Sequence, residues 1–264
     1  MQTSYAGRGR DDHDSLTATM PLETDVYSRL LTVASLADRE VAVLRAYAAF
    51  LRQIGHPHGD AEVAGALLRH PVAARALIEN FEARFDPARQ GGAADSDAEA
   101  TSTTADAQGA GVAPAARLEA ELQAITGDED RRVFDLLRGM VVATLRTNVY
   151  CRDAAGHPPP AIAFKFDGRA VEGSPAPTPL YEIFVHSPRV EGVHLRGGKV
   201  ARGGIRWSDR YADYRTEVHG LFKAQMVKNV VIVPEGAKGG FVVRRPPAGS
   251  AAAALRDEAV ACYR

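Results

Sequence analysis

Between residues 35 and 51, apolar side chains recur at helical spacing, with Val41, Leu44, Tyr47, Ala48 and Leu51 on one stripe. Ser35 is placed to cap this helix, Asp38 three residues on completes a capping box, and Gly55 and Pro57 stop it. A second helix is expected from Asp60 to His70. Pro71 suits the first position of a third, which carries Val72, Ala76, Leu77, Phe81 and Phe85 and closes at Asp86-Pro87. A helix from about Ala116 to Ile125 follows, then a longer one capped by Asp128 with Val133, Leu136, Leu137, Met140, Val141 and Leu145 inward.

After Cys151 the period changes. Ile162, Phe164 and Phe166 alternate with smaller or polar residues, as do Tyr181, Ile183 and Val185, so two strands are expected on either side of a proline-rich loop. A further strand at Val193 to Leu195 precedes a Gly-Gly turn at Gly197 and Gly198 that leads into Lys199 to Ala201.

Two stretches lack any period. Residues 1–21 are polar and charged and read as a flexible tail. Residues 88–116 hold almost no large apolar side chain, so burial cannot offset the entropy of ordering them, and they read as a disordered insertion. The expected division is a tail over 1–21, a helical region over 22–150 with the insertion at 88–116, and an α/β portion over 151–264. The fold class is α/β, or α+β over this length, with a mixed sheet.

Composition narrows the function. The 264 residues are 45% hydrophobic, enough for a globular core, and carry a net charge of −1. Such a balance offers neither a counterion-release footprint for nucleic acid nor attraction to anionic lipid, so neither partner is expected. No apolar run approaches the roughly 20 residues that span a bilayer, and MQTSYAGRGRDDHDS has no hydrophobic signal core, which points to the cytoplasm. Cys151 and Cys262 are far apart and outside any metal-ligand spacing. His56, His58 and His70 sit among turn residues without a carboxylate or thiol set and read as solvated caps, so no metal is expected.

Chemistry concentrates in VARGGIRWSDRYADYRTEVHGLFKAQMVKNVVIVPEGAKGGFVV, residues 200–243. Gly203 and Gly204 between Arg202 and Arg206 let the backbone approach a ligand whose carboxylates meet guanidinium groups. Val218, Leu221, Phe222, Gln225 and Lys228 fall at helical spacing, which puts Lys228 at the C-terminal end of a helix. VVIV and FVV read as strands flanking a loop that presents Lys238 among Gly236, Gly239 and Gly240. Two neighbouring cations depress each other's pKa, which suits such a lysine to general-base work on an amino or oxo acid. The GAKGG string lacks the spacing and hydroxyl of a phosphate loop. Trp207 and Tyr211 read as packing residues, and Glu182 and Glu191 either as acid/base groups or as ion-pair partners for Arg189 and Arg196.

The order ARGGIRW, QMVKN, EGAKGG resembles the glutamate dehydrogenase superfamily, in which KGGIRF, a helix ending in lysine, and GG-x-KGG follow one another. EIFVHSPRVEGVHLRGGKVARGGIRWSDR and EVHGLFKAQMVKNVVIVPEGAKGGFV resemble the very large NAD-specific glutamate dehydrogenases of bacteria. VLRAYAAFLRQIG, HPVAARALIENFEARFDP and LRTNVYCR are similar to the helical stretch ahead of the catalytic domain in that group, so the resemblance covers about residues 30 to 245 apart from the insertion. It implies oxidative deamination of L-glutamate to 2-oxoglutarate and ammonia with NAD, by a homo-oligomer. It further implies that Lys238 is the catalytic lysine and that Lys228 pairs with the substrate α-carboxylate. Arg202 then faces the side-chain carboxylate where smaller members have lysine, with Gly203 and Gly204 lining the pocket. The family's catalytic aspartate and its Rossmann domain, which binds NAD, are not visible before Arg264, so the chain is expected to be a fragment inactive alone. The alternative is a non-catalytic interaction module or a truncated reading frame.

Overall fold

The structure, a computed structural model, describes residues 25–90, 108–228, 235–246 and 252–264. The tail expected at 1–21 lies outside them. A 3-10 turn at Val26–Arg29 leads into α1 (Leu30–Val33), α2 (Asp38–Gln53), α3 (Asp60–Arg69), α4 (Pro71–Phe85), α5 (Gln108–Gln123) and α6 (Asp128–Ala143). Strands β1 (Thr144–Thr147), β2 (Ile162–Asp167), β3 (Tyr181–His186), β4 (Val190–Arg196) and β5 (Ile205–Trp207) follow, then α7 (Tyr214–Lys228), β6 (Ala237–Val243) and α8 (Ala252–Tyr263). No helix among the described residues is long and apolar enough to cross a membrane.

α2 begins two residues later than the serine cap implies, with Ala37 in the cap position. Ser35 has φ 51, and the free Ala37 N–H is satisfied by Glu40, whose Oε2 accepts it at 2.8 Å. The helix ends where glycine was expected to end it: Gly55 takes φ 86, with His56 N–H donating to Leu51 O and Gly55 N–H to Arg52 O, a Schellman closure. α3 and α4 follow the pattern, with Pro71 opening α4, although Val72 turns outward and stays 51% exposed while Ala73, Leu77 and Phe81 are buried.

α5 starts at Gln108, well ahead of Ala116, so the last part of the segment expected as a disordered insertion is helical; residues 91–107 lie outside the described ones. Alanine-rich sequence is permissive for helix, and burial of Leu118 and Leu122 holds α5. α6 stops at Ala143 because Thr144 turns extended. Leu145 therefore belongs to β1 and is 45% exposed, not inward. At four residues, β1 is too short to show a period.

The described strands form one sheet in the order β1-β2-β3-β4-β6-β5, antiparallel except for the parallel β5–β6 pair. The sheet is therefore mixed, and β5-α7-β6 is a parallel crossover unit. β3 forms where its alternation predicts, with the opposite face inward: Glu182, Phe184 and His186 are buried and Tyr181, Ile183 and Val185 only half-buried. Its register sets this face, since Phe184 lies opposite Phe164 and Val193, both buried. The Gly197-Gly198 turn does not return a paired strand at Lys199–Ala201; the chain next meets the sheet at the bridge Arg202↔Gly236.

α2 packs against the buried face of the sheet. Tyr47 lies 4.7 Å from Phe164, and Phe50 4.7 Å from Phe166 and 5.2 Å from Phe184, ring centre to ring centre. The Tyr47 and Thr144 hydroxyls are hydrogen-bonded at 2.8 Å inside this core. Helical region and sheet thus share one continuous core. Near the opposite face, α8 is held by Arg189 to Glu258 at 2.9 Å.

Candidate substrate site

The three predicted motifs converge at the β5 end of the sheet. Arg202↔Gly236 and Ile205↔Gly239 share one register, so the chain from 202 to 207 runs along β6 with Gly203 opposite Ala237 and Gly204 opposite Lys238. Ala237 N–H donates to Arg202 O at 3.3 Å and Gly239 N–H to Gly204 O at 3.0 Å. Gly203 is glycine for a steric reason: a Cβ there would overlap the Ala237 carbonyl.

Lys238 is a strand residue. Its expected loop is not formed at this point, because β4 on one side and the 202–207 segment on the other pair both edges of β6. Glycines at 236, 239 and 240 read as a turn in isolation, yet they let α7 and β5 approach: a Cβ on Gly236 would come 2.8 Å from Gln225 Cγ, and one on Gly240 2.5 Å from Val218 Cγ2. The VVIV strand expected ahead of the loop falls on residues outside the described ones.

These contacts orient α7. Val218 sits over Gly240 and Gln225 over Gly236, so α7 runs antiparallel to β6 and its last residue, Lys228, comes beyond the start of the strand. Alternation along β6 puts Lys238 on the same face as Gly240, the face that α7 covers. Lys238 is half-buried and has no carboxylate partner among the described residues. Arg202 is exposed; its carbonyl also accepts Gln225 Nε2 at 3.3 Å, so helix and strand grip its backbone while the side chain is left to solvent.

Arg206, by contrast, is engaged by Glu217 of α7 at 3.2 Å, and Glu217 also accepts the Ser208 hydroxyl at 2.9 Å. The geometry thus gathers Arg202, Gly203, Gly204 and Lys238 about one edge, beside the end of α7, and Arg202 and Lys238 are cations of the kind that pairs with carboxylates.

Glu182 and Glu191 both have partners, though not the expected ones. Glu182, fully buried, takes a bidentate pair from Arg215 of α7 at 2.7 and 2.7 Å. Glu191 lies 3.5 Å from Arg52 and 3.8 Å from Arg244. Arg189 instead pairs with Glu258, and Arg196 donates to Lys199 O at 2.6 Å. Tyr211 is 36% exposed and stacks under Arg52 at 5.3 Å. Of the histidines expected as solvated caps, His70 does sit at the cap between α3 and α4, where it also lies 3.0 Å from Asp130, whereas His56 buries Nε2 without a hydrogen-bond partner among the described residues. No group of three or more His, Cys, Asp or Glu placed to hold a metal occurs among the described residues.

Comparison with known proteins shows the family. A family model described as bacterial NAD-glutamate dehydrogenase, catalytic domain, matches residues 117–264, and one described as glutamate dehydrogenase, helical motif 3, matches residues 22–87. The chain is 49% identical over 243 residues to the NAD-specific glutamate dehydrogenase of Halomonas elongata, covering 91% of this chain and 14% of that protein. It is 49% identical over 243 residues to the protein of that name from Pseudomonas aeruginosa and 45% identical over 248 residues to that from Mycobacterium tuberculosis, in each case covering 92% of this chain and 14% of the relative. The chain thus spans 14% of the length of these curated relatives.

Proposed function

We propose a function from the premise that this chain belongs to the family of bacterial NAD-glutamate dehydrogenases: residues 200–243 contribute the substrate half of a site that interconverts L-glutamate with 2-oxoglutarate and ammonia. The observation that carries it is the register of the 202–207 segment on β6, which aligns Gly204 with Lys238 and sets Arg202 at the same edge, below the C-terminal part of α7. In this reading Lys228 takes the α-carboxylate, Arg202 the side-chain carboxylate, and Lys238 acts on the substrate as general base. Gly203 and Gly204 keep the pocket wall free of side chains. Arg202 suits its role because its side chain is exposed and not engaged by a carboxylate among the described residues.

NAD, when bound, accepts hydride from the substrate. None of the described elements is a strand leading through G-x-G-x-x-G into a helix. We therefore place NAD binding on residues other than these and read the chain as unable to turn over substrate alone. Homo-oligomerisation and a cytoplasmic setting complete the proposal; the free thiols of Cys151 and Cys262 suit a reducing compartment.

Calorimetric titration of the purified chain with 2-oxoglutarate, beside an assay of glutamate-dependent NAD reduction, tests this. Saturable binding without turnover is the expected result. Measurable turnover would overturn the incompleteness, and a folded chain that binds neither dicarboxylate would favour a non-catalytic interaction module.

A further inference from the structure

A buried polar cluster joins the helical region to the start of α7. Glu191 on β4 has a fully buried side chain: Oε1 accepts the Tyr214 hydroxyl at 3.4 Å, while Oε2 lies 3.5 Å from Arg52 Nη2 and accepts no hydrogen bond among the described residues. Arg52 projects from α2. Its Nη1 donates to Asp60 at 2.6 Å, its Nη2 to the Tyr211 hydroxyl at 2.7 Å, and its plane covers the Tyr211 ring at 5.3 Å. The next residue, Gln53, donates to the Tyr211 carbonyl at 3.3 Å. Tyr211 lies in the turn ahead of α7 and Tyr214 is its first residue, so α2 holds that turn while Glu191, from the sheet, holds the first residue of the helix.

We propose that Arg52 and Glu191 are positioning residues, a clamp by which the helical region fixes the start of α7 and thereby the place of the helix end that carries Lys228 relative to Lys238. The clamp stands on this geometry; its consequence for substrate rests on the function proposed above.

The groups facing Glu191 are Arg52 and Gln53 from α2, Tyr214 from α7, His186 from β3 and Arg244 from beyond β6, with Asp60 and Tyr211 held by Arg52. Burial pushes the Glu191 carboxyl up to about 7 in spite of Arg52 and Arg244, which pull it down. Burial, reinforced by Arg244, Arg45 and Arg52, keeps His186 neutral. Opening the clamp wets Glu191 and returns it toward the ordinary carboxylate range, so the closed form binds a proton more tightly than the open one. The closed form is therefore favoured in full below the open-state pKa, and that advantage is lost as pH rises to about 7.

Hydrogen exchange of the peptide spanning residues 211–222 in the intact chain, corrected for intrinsic rate, reads the clamp between pH 5 and 8. Protection is expected to fall on the order of tenfold or more across that range, to stay level in Glu191→Gln, and to fall at higher pH in Arg52→Met, which loses a cation that favours the carboxylate. A level profile in the wild type, or the same fall in Glu191→Gln, overturns the clamp. The affinity for 2-oxoglutarate is expected to fall alongside protection; affinity that ignores pH while protection falls overturns the positioning role. Absence of dicarboxylate binding at every pH counts against the substrate reading alone, because the exchange profile still decides the clamp.

Discussion

Alanine at position 203 tests whether the 202–204 backbone is pressed onto β6. A Cβ there would overlap the Ala237 carbonyl oxygen and lie 3.2 Å from Ala237 Cα, so the segment has to retreat by roughly 2 Å to restore ordinary contact. Retreat breaks the Ala237 N–H to Arg202 O bond at 3.3 Å and the Gly239 N–H to Gly204 O bond at 3.0 Å. At about 1 kcal/mol net for each, Gly203→Ala is expected to lose about 2 kcal/mol of stability, and on the proposed function 2-oxoglutarate binding is expected to weaken with it. Gly204 is the internal control, since a Cβ there meets nothing within 4 Å; Gly204→Ala is expected to stay within about 0.5 kcal/mol of wild type. Urea denaturation followed by circular dichroism measures both, and calorimetry measures 2-oxoglutarate binding by Gly203→Ala. Equal stability of the two variants would refute the packing argument, whichever way they moved.

Glu182→Gln leaves the Arg215 guanidinium, 1% exposed, without its anion, and is expected to cost roughly 3–5 kcal/mol in the same denaturation assay; a loss below 1 kcal/mol would contradict a structural role for the pair. Phe50→Ala removes a ring packed on both Phe166 and Phe184, for an expected roughly 3–5 kcal/mol. Because that core joins helices and sheet, helical ellipticity and Trp207 fluorescence are expected to be lost in one transition, and two separate transitions would argue against a shared core. Burial raises the Glu191 carboxyl to about 7, so its contribution to global stability is full below the unfolded pKa and declines as pH rises toward 7. Melting temperatures of wild type and Glu191→Gln should therefore diverge across that window and run parallel outside it.

The helices were legible where local chemistry decides them. Pro71 opens α4 and Gly55 closes α2, and each does so with backbone groups a few residues away. Legibility failed where a distant partner decides. Alternation in β3 made Tyr181, Ile183 and Val185 its apolar set, but burial of Glu182 on the other face depends on Arg215, which only the folded chain brings beneath it. GAKGG reads as a loop because its glycines carry no side chain to pack; pairing on both sides makes it a strand, and α7 fills the space the glycines leave. Register on β6 aligns Gly204 with Lys238 in the strand. The contact of Arg52 with Tyr211 and Glu191 leaves no local trace in sequence at all.

On the proposed function, this chain carries a competent substrate half with Lys238 as its catalytic lysine. The most direct test is a chimera in which these residues replace the matching 14% of the Pseudomonas aeruginosa NAD-specific glutamate dehydrogenase, assayed for glutamate-dependent NAD reduction with and without Lys238→Ala. The account predicts an active chimera whose kcat falls on the order of 100-fold or more on the substitution. An inactive but folded chimera, or a Lys238→Ala variant close to its parent, would contradict it.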